Sequence, residues 1–354
     1  MVDIFVYIIF IFIIKTNGFL FDDKEDLILL PSVAFRDHSK ISSTNWIVSN
    51  QGWYYEEDPL QAKVMEKILE KTIEKDFDIN RIKLFTADGQ ENKKVCIDNF
   101  NQSICTHTDH EGRIKNTFQI SKNEIDQLIQ SDINGTKILY QQSVFNKNIR
   151  TIGEIYLCDD NGITFISDID DTIKVTGVTS STETLMNTFT GSYKSVLGMS
   201  DIYQYWQKKY NATFAYLTAS PDQLYPFLRE FINREKFPLG SFHMRHFTWF
   251  DTNFISFFMS NNYIESKTEA IDMFLNNTLN RRFILIGDIF QKDPDIYASI
   301  YMKYPNRIEK IFIRKYKNDT IGQQRLEQIF NNIPQENWAT FEIGSDLPKD
   351  IFLV

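Results

Sequence analysis

The chain has 354 residues, of which 42% are hydrophobic and 24% charged, the proportions of a soluble globular protein long enough for two domains and a sizeable core. Its net charge of −9 excludes a broad electrostatic pull towards nucleic acid or an anionic bilayer, so an anionic ligand would have to be met by local basic groups or a metal ion. There is neither an internal repeat nor a low-complexity tract, which sets aside repeat architectures.

The first element is an apolar run, Ile4 to Ile14, closed by Lys15-Thr16-Asn17-Gly18. It has the length of a signal-peptide core and falls short of the roughly 20 residues a spanning helix needs. Residues 1–18 are therefore expected to be a signal peptide, with the mature chain starting near Gly18 or Phe19 in a secreted or lumenal location. Asp3 stands where such signals carry Lys or Arg, and Phe19-Leu20-Phe21 prolongs the apolar stretch. An uncleaved amino-terminal anchor is the alternative.

Residues 19–150 alternate strand-like pieces (LILLPSVAF, NWIVSNQGWYY, RIKLFTA, KKVCIDNF, RIKNTFQI, TKILYQQSVF, GEIYL) with one helical run near Ala62 to Lys75. Short strands parted by turn residues predict a smaller, mainly β domain in the form of a sandwich. His107-Thr108-Asp109-His110 reads as a polar hairpin loop, since a metal site there would lack further ligands. Cys96 and Cys105 flank IDNFNQSI, and an oxidising compartment would let them pair across it; Cys158 is left over as a buried thiol. Five sequons, at Asn101, Asn134, Asn211, Asn276 and Asn318, permit glycosylation without arguing for it.

From about Thr151 strands alternate with helices, as a parallel sheet requires. Ile163-Thr164-Phe165-Ile166, entered through Asn161-Gly162, predicts a short buried strand that ends in Asp168, Asp170, Asp171 and Thr172. Side chains at i and i+2 of an extended segment share a side, so Asp168 and Asp170 can converge on one ligand at the strand's carboxyl end. Two carboxylates held that close repel unless a cation or a shared proton sits between them, and hard oxygen ligands suit Mg²⁺. The plainer reading is an acidic loop after a core strand.

SDIYQYWQKKY predicts a helix, Ala215-Tyr216-Leu217 a second strand ending in Thr218-Ala219-Ser220-Pro221, and DQLYPFLREFINRE the helix after it. HFTWFDTNFISFFM follows, with Trp249, Phe250, Phe254, Phe257 and Phe258. These aromatics suit a core strand and loop better than a bilayer-dipping edge in a chain with 30 Phe. Lys267 opens the amphipathic run KTEAIDMFL. RRFILIGDIFQKDPDIYASI then gives an apolar strand, Phe283 to Ile286, followed by Gly287-Asp288 and Asp293-Pro294.

Asp-x-Asp-x-Thr, a strand-end Thr, a Lys, and Gly-Asp-x-x-x-x-Asp follow in the order of the four motifs of the haloacid dehalogenase superfamily of phosphohydrolases. The strings SDIDDTIKVTGV, YLTASPDQLYPFLREFI and IGDIFQKDPDIYASIYMKYPNRIEKIFIR resemble the actin-patch-associated phosphatidate phosphatase family over roughly residues 150 to 316. The preceding hundred or so resemble it loosely, through pieces such as NWIVSNQGWYYEED.

That resemblance implies an α/β fold, a haloacid-dehalogenase-like Rossmannoid parallel sheet with flanking helices, over 151–316. The smaller mainly β domain over 19–150 precedes it, and an extension over 317–354 packs on it. The short gaps between motifs leave no room for a large cap. The resemblance further implies a Mg²⁺-dependent phosphatidate phosphatase working on a phospholipid at a membrane surface, not on nucleic acid. Asp168 would be the nucleophile that becomes an aspartyl-phosphate, and Asp170 the general acid and base. Thr218, Ser220 and Lys267 would hold phosphoryl oxygens, with Asp168, Asp170, Asp288 and Asp293 around the metal.

Asp293 can equally cap the helix that Pro294 opens. Arg245 matches an arginine of the family pattern, as a substrate contact or as a surface or sheet-edge residue. Ile289-Phe290 departs from the small residues usual there and is expected to narrow the pocket beside the metal or to alter substrate choice. A phosphatase on soluble phosphomonoesters or phosphoproteins, and a non-catalytic adaptor of the same fold, are the alternatives.

Overall fold

The computed structural model describes residues 24–352 apart from 40–42, 74–76, 99, 102, 133–134, 147–148, 178–185 and 248–262. The expected signal segment, the sequon at Asn134 and the aromatics Trp249, Phe250, Phe254, Phe257 and Phe258 lie outside the described residues. So do parts of both gaps on which the absence of a large cap was argued.

The first sheet contains β1 (Glu25–Arg36), β2 (Trp46–Glu56), β3 (Asp88–Gly89), β4 (Lys94–Ile97), β5 (Ile104–His107), β6 (Arg113–Ile120), β7 (Gln130–Ser131), β8 (Lys137–Phe145) and β9 (Ile149–Cys158). Helices α1 (Pro59–Ile73), α2 (Ile79–Thr86) and α3 (Lys122–Leu128) interrupt them. The expected sandwich is not what forms. The strands make one curled, mixed sheet in the order β3-β2-β1-β9-β8-β4-β5, with β6 on β2 and β7 on β8. The cause is the long β2, which pairs with β1 along one edge and with β6 and β3 along the other, so no second sheet separates. β1 bulges between Leu30 and Val33, where Pro31 has no amide hydrogen to give the ladder. Cys96 and Cys105 stand opposite one another in the β4–β5 ladder and are disulfide-bonded, while Cys158 is buried and free. Asp109 makes the turn after β5, its carboxylate accepting from the Glu111 and Arg113 amides.

A boundary at residue 150 cuts through β9, which pairs with β1 and β8; the change of sheet falls in the turn that follows, at 159–162. The second sheet is parallel throughout: β10 (Ile163–Asp168), β11 (Thr213–Pro221), β12 (Ser241–Arg245), β13 (Arg282–Asp288), β14 (Ile308–Arg314) and β15 (Trp338–Phe341), in the order β12-β11-β10-β13-β14-β15. Numbered from its first strand this is the 3-2-1-4-5-6 order of a doubly wound α/β domain, in which ligands bind where the order reverses, beyond the carboxyl ends of the first and fourth strands.

The period of two in each strand sorts its side chains to opposite faces. Phe165, Phe214, Tyr216 and Ile286 pack under α4 (Met199–Tyr210) and α5 (Tyr225–Arg234). Ile166, Leu217, Phe283 and Leu285 pack under α6 (Tyr263–Asn276), α7 (Asp293–Lys303) and α8 (Thr320–Ile329). Val33, Phe35 and Cys158 of the first sheet join this second core, with Phe35 edge-on to Phe274 at 5.4 Å between ring centres. The segment expected as an extension after 316 is part of the domain itself: it supplies α8 and the sixth strand, and its end is held by hydrogen bonds from Trp206 to the Pro348 carbonyl and from the Ile351 amide to Tyr210.

Candidate active site

β10 and β13 are neighbours in the sheet, and each ends in an aspartate, Asp168 and Asp288, at the switch point. Asp293, the first residue of α7, and Lys267, in the second turn of α6, complete a cluster with exposures of 0% for the three acids and 2% for the lysine. Lys267 Nζ donates to Asp168 Oδ1 at 2.8 Å and to Asp293 Oδ1 at 2.6 Å. The three carboxylates each place an oxygen within 4.8 Å of the others. Gly287 permits this approach, since a Cβ there would meet Asp293 Oδ2 at 2.5 Å. Asp288 Oδ1 accepts from the Phe290 and Gln291 amides at 2.5 and 2.9 Å, which fixes the direction of its other oxygen.

Three carboxylates face one ammonium. Burial pushes Asp168 well above the ordinary carboxylate range, against the pull of Lys267 and with the help of Asp293; burial, then Asp293 and Asp168, does the same to Asp288. Burial works against the charge on Lys267, but Asp168, Asp293 and Asp288 outweigh it and keep the lysine protonated. Asp168 Oδ2 and Asp288 Oδ2 are buried without a hydrogen-bond partner among the described residues. Two unpartnered carboxylate oxygens in an excess of buried negative charge are the donor set of a small hard cation, so the residues present fit Mg²⁺.

Asp170 does not join the cluster. β10 ends at Asp168, and the chain then turns, with Ile169 O accepting from the amides of Thr172, Ile173 and Lys174. The rule that i and i+2 share a side holds only while the backbone stays extended. Asp170 Oδ1 accepts from Lys174 Nζ at 2.8 Å and from the Thr176 hydroxyl at 3.0 Å, and its Oδ2 from the hydroxyls of Thr218 at 2.6 Å and Ser220 at 2.9 Å. Burial alone would raise its pKa, but Lys174 and then the hydroxyls lower it to about 2. The hydroxyls of Thr218 and Ser220 thus donate their hydrogen bonds to Asp170 in this state. Lys174 and Thr176 are site residues that the sequence reading missed; the only signal was a lysine four positions after Asp170.

Arg245, at the end of edge strand β12, is buried rather than on the surface and donates twice to the Ala219 carbonyl; burial lowers its pKa to about 10. Ile289 packs into the core towards Gly322 of α8, and Phe290 lies against Tyr316 at 5.3 Å between ring centres. His246 and Asp222, also unforeseen, form a buried pair at 2.9 Å.

Fold and site thus define a doubly wound α/β domain with an acidic, cation-competent cluster at its switch point. Residues 163–315 match the family model of the phosphatidate phosphatase APP1 catalytic domain, a range that runs from the first residue of β10 to one past β14. The chain is 29% identical over 216 residues to an uncharacterized protein of Schizosaccharomyces pombe, covering 60% of this chain and 35% of that one. It is 32% identical over 160 residues to phosphatidate phosphatase APP1 of Saccharomyces cerevisiae, covering 44% of this chain and 26% of the relative. The chain thus spans between a quarter and about a third of the length of these curated relatives. Among solved structures, a carbohydrate acetylesterase from Xanthomonas citri aligns over 93% of this chain and 71% of its own at 8% identity, with a TM-score of 0.29 that carries no argument.

Proposed function

We propose that the chain is a Mg²⁺-dependent phosphatidate phosphatase that releases phosphate and leaves diacylglycerol. The observation that carries the reading is the coincidence of the buried cluster Asp168, Asp288, Asp293 and Lys267 with the segment matching a phosphatidate phosphatase catalytic domain. Motif order, parallel sheet and site position support placing it among the haloacid-dehalogenase-type phosphatases.

Asp168 Oδ2 and Asp288 Oδ2 would hold the ion with Asp293 beside them; when bound it supplies the positive charge that lets a carboxylate approach a phosphate dianion. Lys267 holds Asp168 by Oδ1 and offsets charge on the phosphoryl group. A carboxylate oxygen of Asp168 forms a bond to phosphorus as the bond from phosphorus to the glycerol oxygen breaks, and that oxygen takes up a proton. Water then hydrolyses the aspartyl-phosphate and phosphate leaves. Asp170 is the group for both proton transfers. In the arrangement seen it is ionised and bonded on both oxygens, so its four donors must loosen before it can take up the proton it gives to the glycerol oxygen and, later, take one from water. Thr218 and Ser220 are free to turn to phosphoryl oxygens once they do.

The test is phosphate release from phosphatidate in mixed micelles beside soluble phosphoesters, with and without EDTA. Turnover confined to soluble esters rejects the lipid, and indifference to EDTA rejects the ion. Asp168→Asn should cut turnover by roughly a thousandfold or more; an unchanged rate makes the chain's phosphatase reading untenable. The Cys96–Cys105 disulfide supports passage through an oxidising compartment and thus a secreted or lumenal location. Sequencing the amino terminus of the cellular product checks it: a start near Gly18 supports cleavage, and an intact Met1 supports the anchor.

A further inference from the structure

A cavity of about 500 Å³ opens from Lys267 and Arg245 and runs between the two sheets. Its far wall is not part of the matched segment: it includes Leu30 from β1, Ser49 and Gln51 from β2, Asp109 from the turn before β6, and Arg113, Ile114 and Lys115 from β6. We infer that this wall, contributed by the amino-terminal sheet, holds the glycerol-ester end of the lipid whose phosphate lies at Lys267. The inference rests on the phosphatidate reading and adds to it where the rest of the substrate lies.

Three features separate this cavity from an ordinary gap between packed layers. It opens near the carboxyl ends of β11 and β12, where Asp222, Arg245 and His246 line it, runs along edge strand β12 past Met244 and His243, and reaches the lysine bonded to Asp168. Its chemistry is mixed in the way an acylglycerol is mixed. Leu30, Met244 and Met273 line it with apolar surface for methylenes, while Ser49, Gln51 and Lys115 offer a hydroxyl, an amide and an ammonium to ester carbonyls, which only accept. Its mouth is also braced: the His246–Asp222 pair joins the start of the segment after β11 to the residue after β12, and Trp53 of β2 lies edge-on to His246 at 5.6 Å. Sites that enclose a small ligand span roughly 300–1,000 Å³. The cavity therefore has room for phosphate, glycerol and the first acyl carbons, and leaves the remainder of two long chains outside, in the micelle or bilayer.

The experiment compares kcat/KM for dioctanoyl phosphatidate in detergent micelles with kcat/KM for p-nitrophenyl phosphate, which has no glycerol esters. In Lys115→Glu and in Ser49→Trp the ratio should fall at least fivefold, with the loss in KM for the lipid. Lys137→Glu makes the same charge change at an exposed lysine outside the cavity wall and should leave the ratio where it was. Lys115 is exposed, so its substitution does not put folding at risk if Ser49→Trp packs badly. Lipid turnover with an unmoved ratio in Lys115→Glu overturns this inference alone. An equal fall in Lys137→Glu overturns it too, because the effect is then general charge. Failure of the unaltered chain to hydrolyse phosphatidate, with soluble esters still turned over, overturns the lipid reading and this inference with it.

Discussion

Asp288→Asn should make the protein more stable and inactive at once, provided no divalent ion is present. In the native chain Asp288 faces two like charges, Asp168 and Asp293, and one opposite charge, Lys267. The net is about one uncompensated repulsion. At the 4.8 Å that bounds the cluster, two unit charges repel by about 3.5 kcal/mol at an effective dielectric near 20. Uptake of a proton by the native cluster, which the raised pKa values of Asp168 and Asp288 favour, reduces the relief to about 1–3 kcal/mol.

The amide is nearly isosteric. Its oxygen can keep the hydrogen bonds from the Phe290 and Gln291 amides, and its nitrogen replaces an oxygen that has no donor. With an unfolding entropy of about 0.7 kcal/mol/K for 354 residues, Tm in EDTA should rise by about 1.5–4 °C. Mg²⁺ should raise the Tm of the native chain by a similar amount, since an ion at a hundred times its Kd contributes about 2.7 kcal/mol, and it should barely move the variant. Thermal unfolding with EDTA and with Mg²⁺, beside phosphate release, reads all three. A variant that melts below the native chain in EDTA, or keeps the full response to Mg²⁺, refutes the reasoning.

Lys174→Met leaves Asp170 buried without its cation and should cost about 3–5 kcal/mol in urea unfolding. Adding Asp170→Asn should recover most of that, and strictly additive losses would show that the pair is not coupled. Burial lowers the His243 pKa to about 4, so the unfolded chain takes up a proton there before the folded one does. Stability present above pH 6.5 is lost as pH falls towards 4, by about 1–3 kcal/mol given that the ring also borders the cavity; His243→Gln should flatten that slope, and an unchanged slope would place the loss elsewhere. Reducing the Cys96–Cys105 bond, which closes a loop with a sequence separation of 9, should cost about 2.5 kcal/mol in the chain-entropy account. A denaturation midpoint indifferent to dithiothreitol would contradict it.

Asp168, Asp288, Asp293 and Lys267 are singled out because weak local landmarks (the end of an apolar strand, a residue just before a helix-opening Pro, the head of an amphipathic run) fall in the order of a known motif series. The structure brings these four side chains together. The alternation of strand and helix read from about Thr151 predicts the parallel sheet, since each element buries one face and must return to the same layer, although its first strand begins only at Ile163. The single curled sheet before it was not legible. A run of strand-like pieces does not say which edges pair, and it is the length of β2, bonded along both edges, that keeps the strands in one layer.

From its order of residues alone, the chain places Asp168 and Asp288 at the ends of two apolar strands, because strand ends are local properties, whereas Lys267 and Asp293 are singled out by motif order and resemblance. Tertiary structure alone decides which oxygen of each carboxylate is bonded and which is left bare, that Asp170 turns to Lys174, Thr218 and Ser220 instead of the acidic cluster, and that β2 and β6 face the lysine across a cavity. The reason is range. A side chain's direction follows from sequence only while the backbone keeps its regular geometry, whereas a hydrogen bond needs two groups within about 3 Å of each other, and residues 168 and 267 or 170 and 218 meet at that distance only in the folded chain.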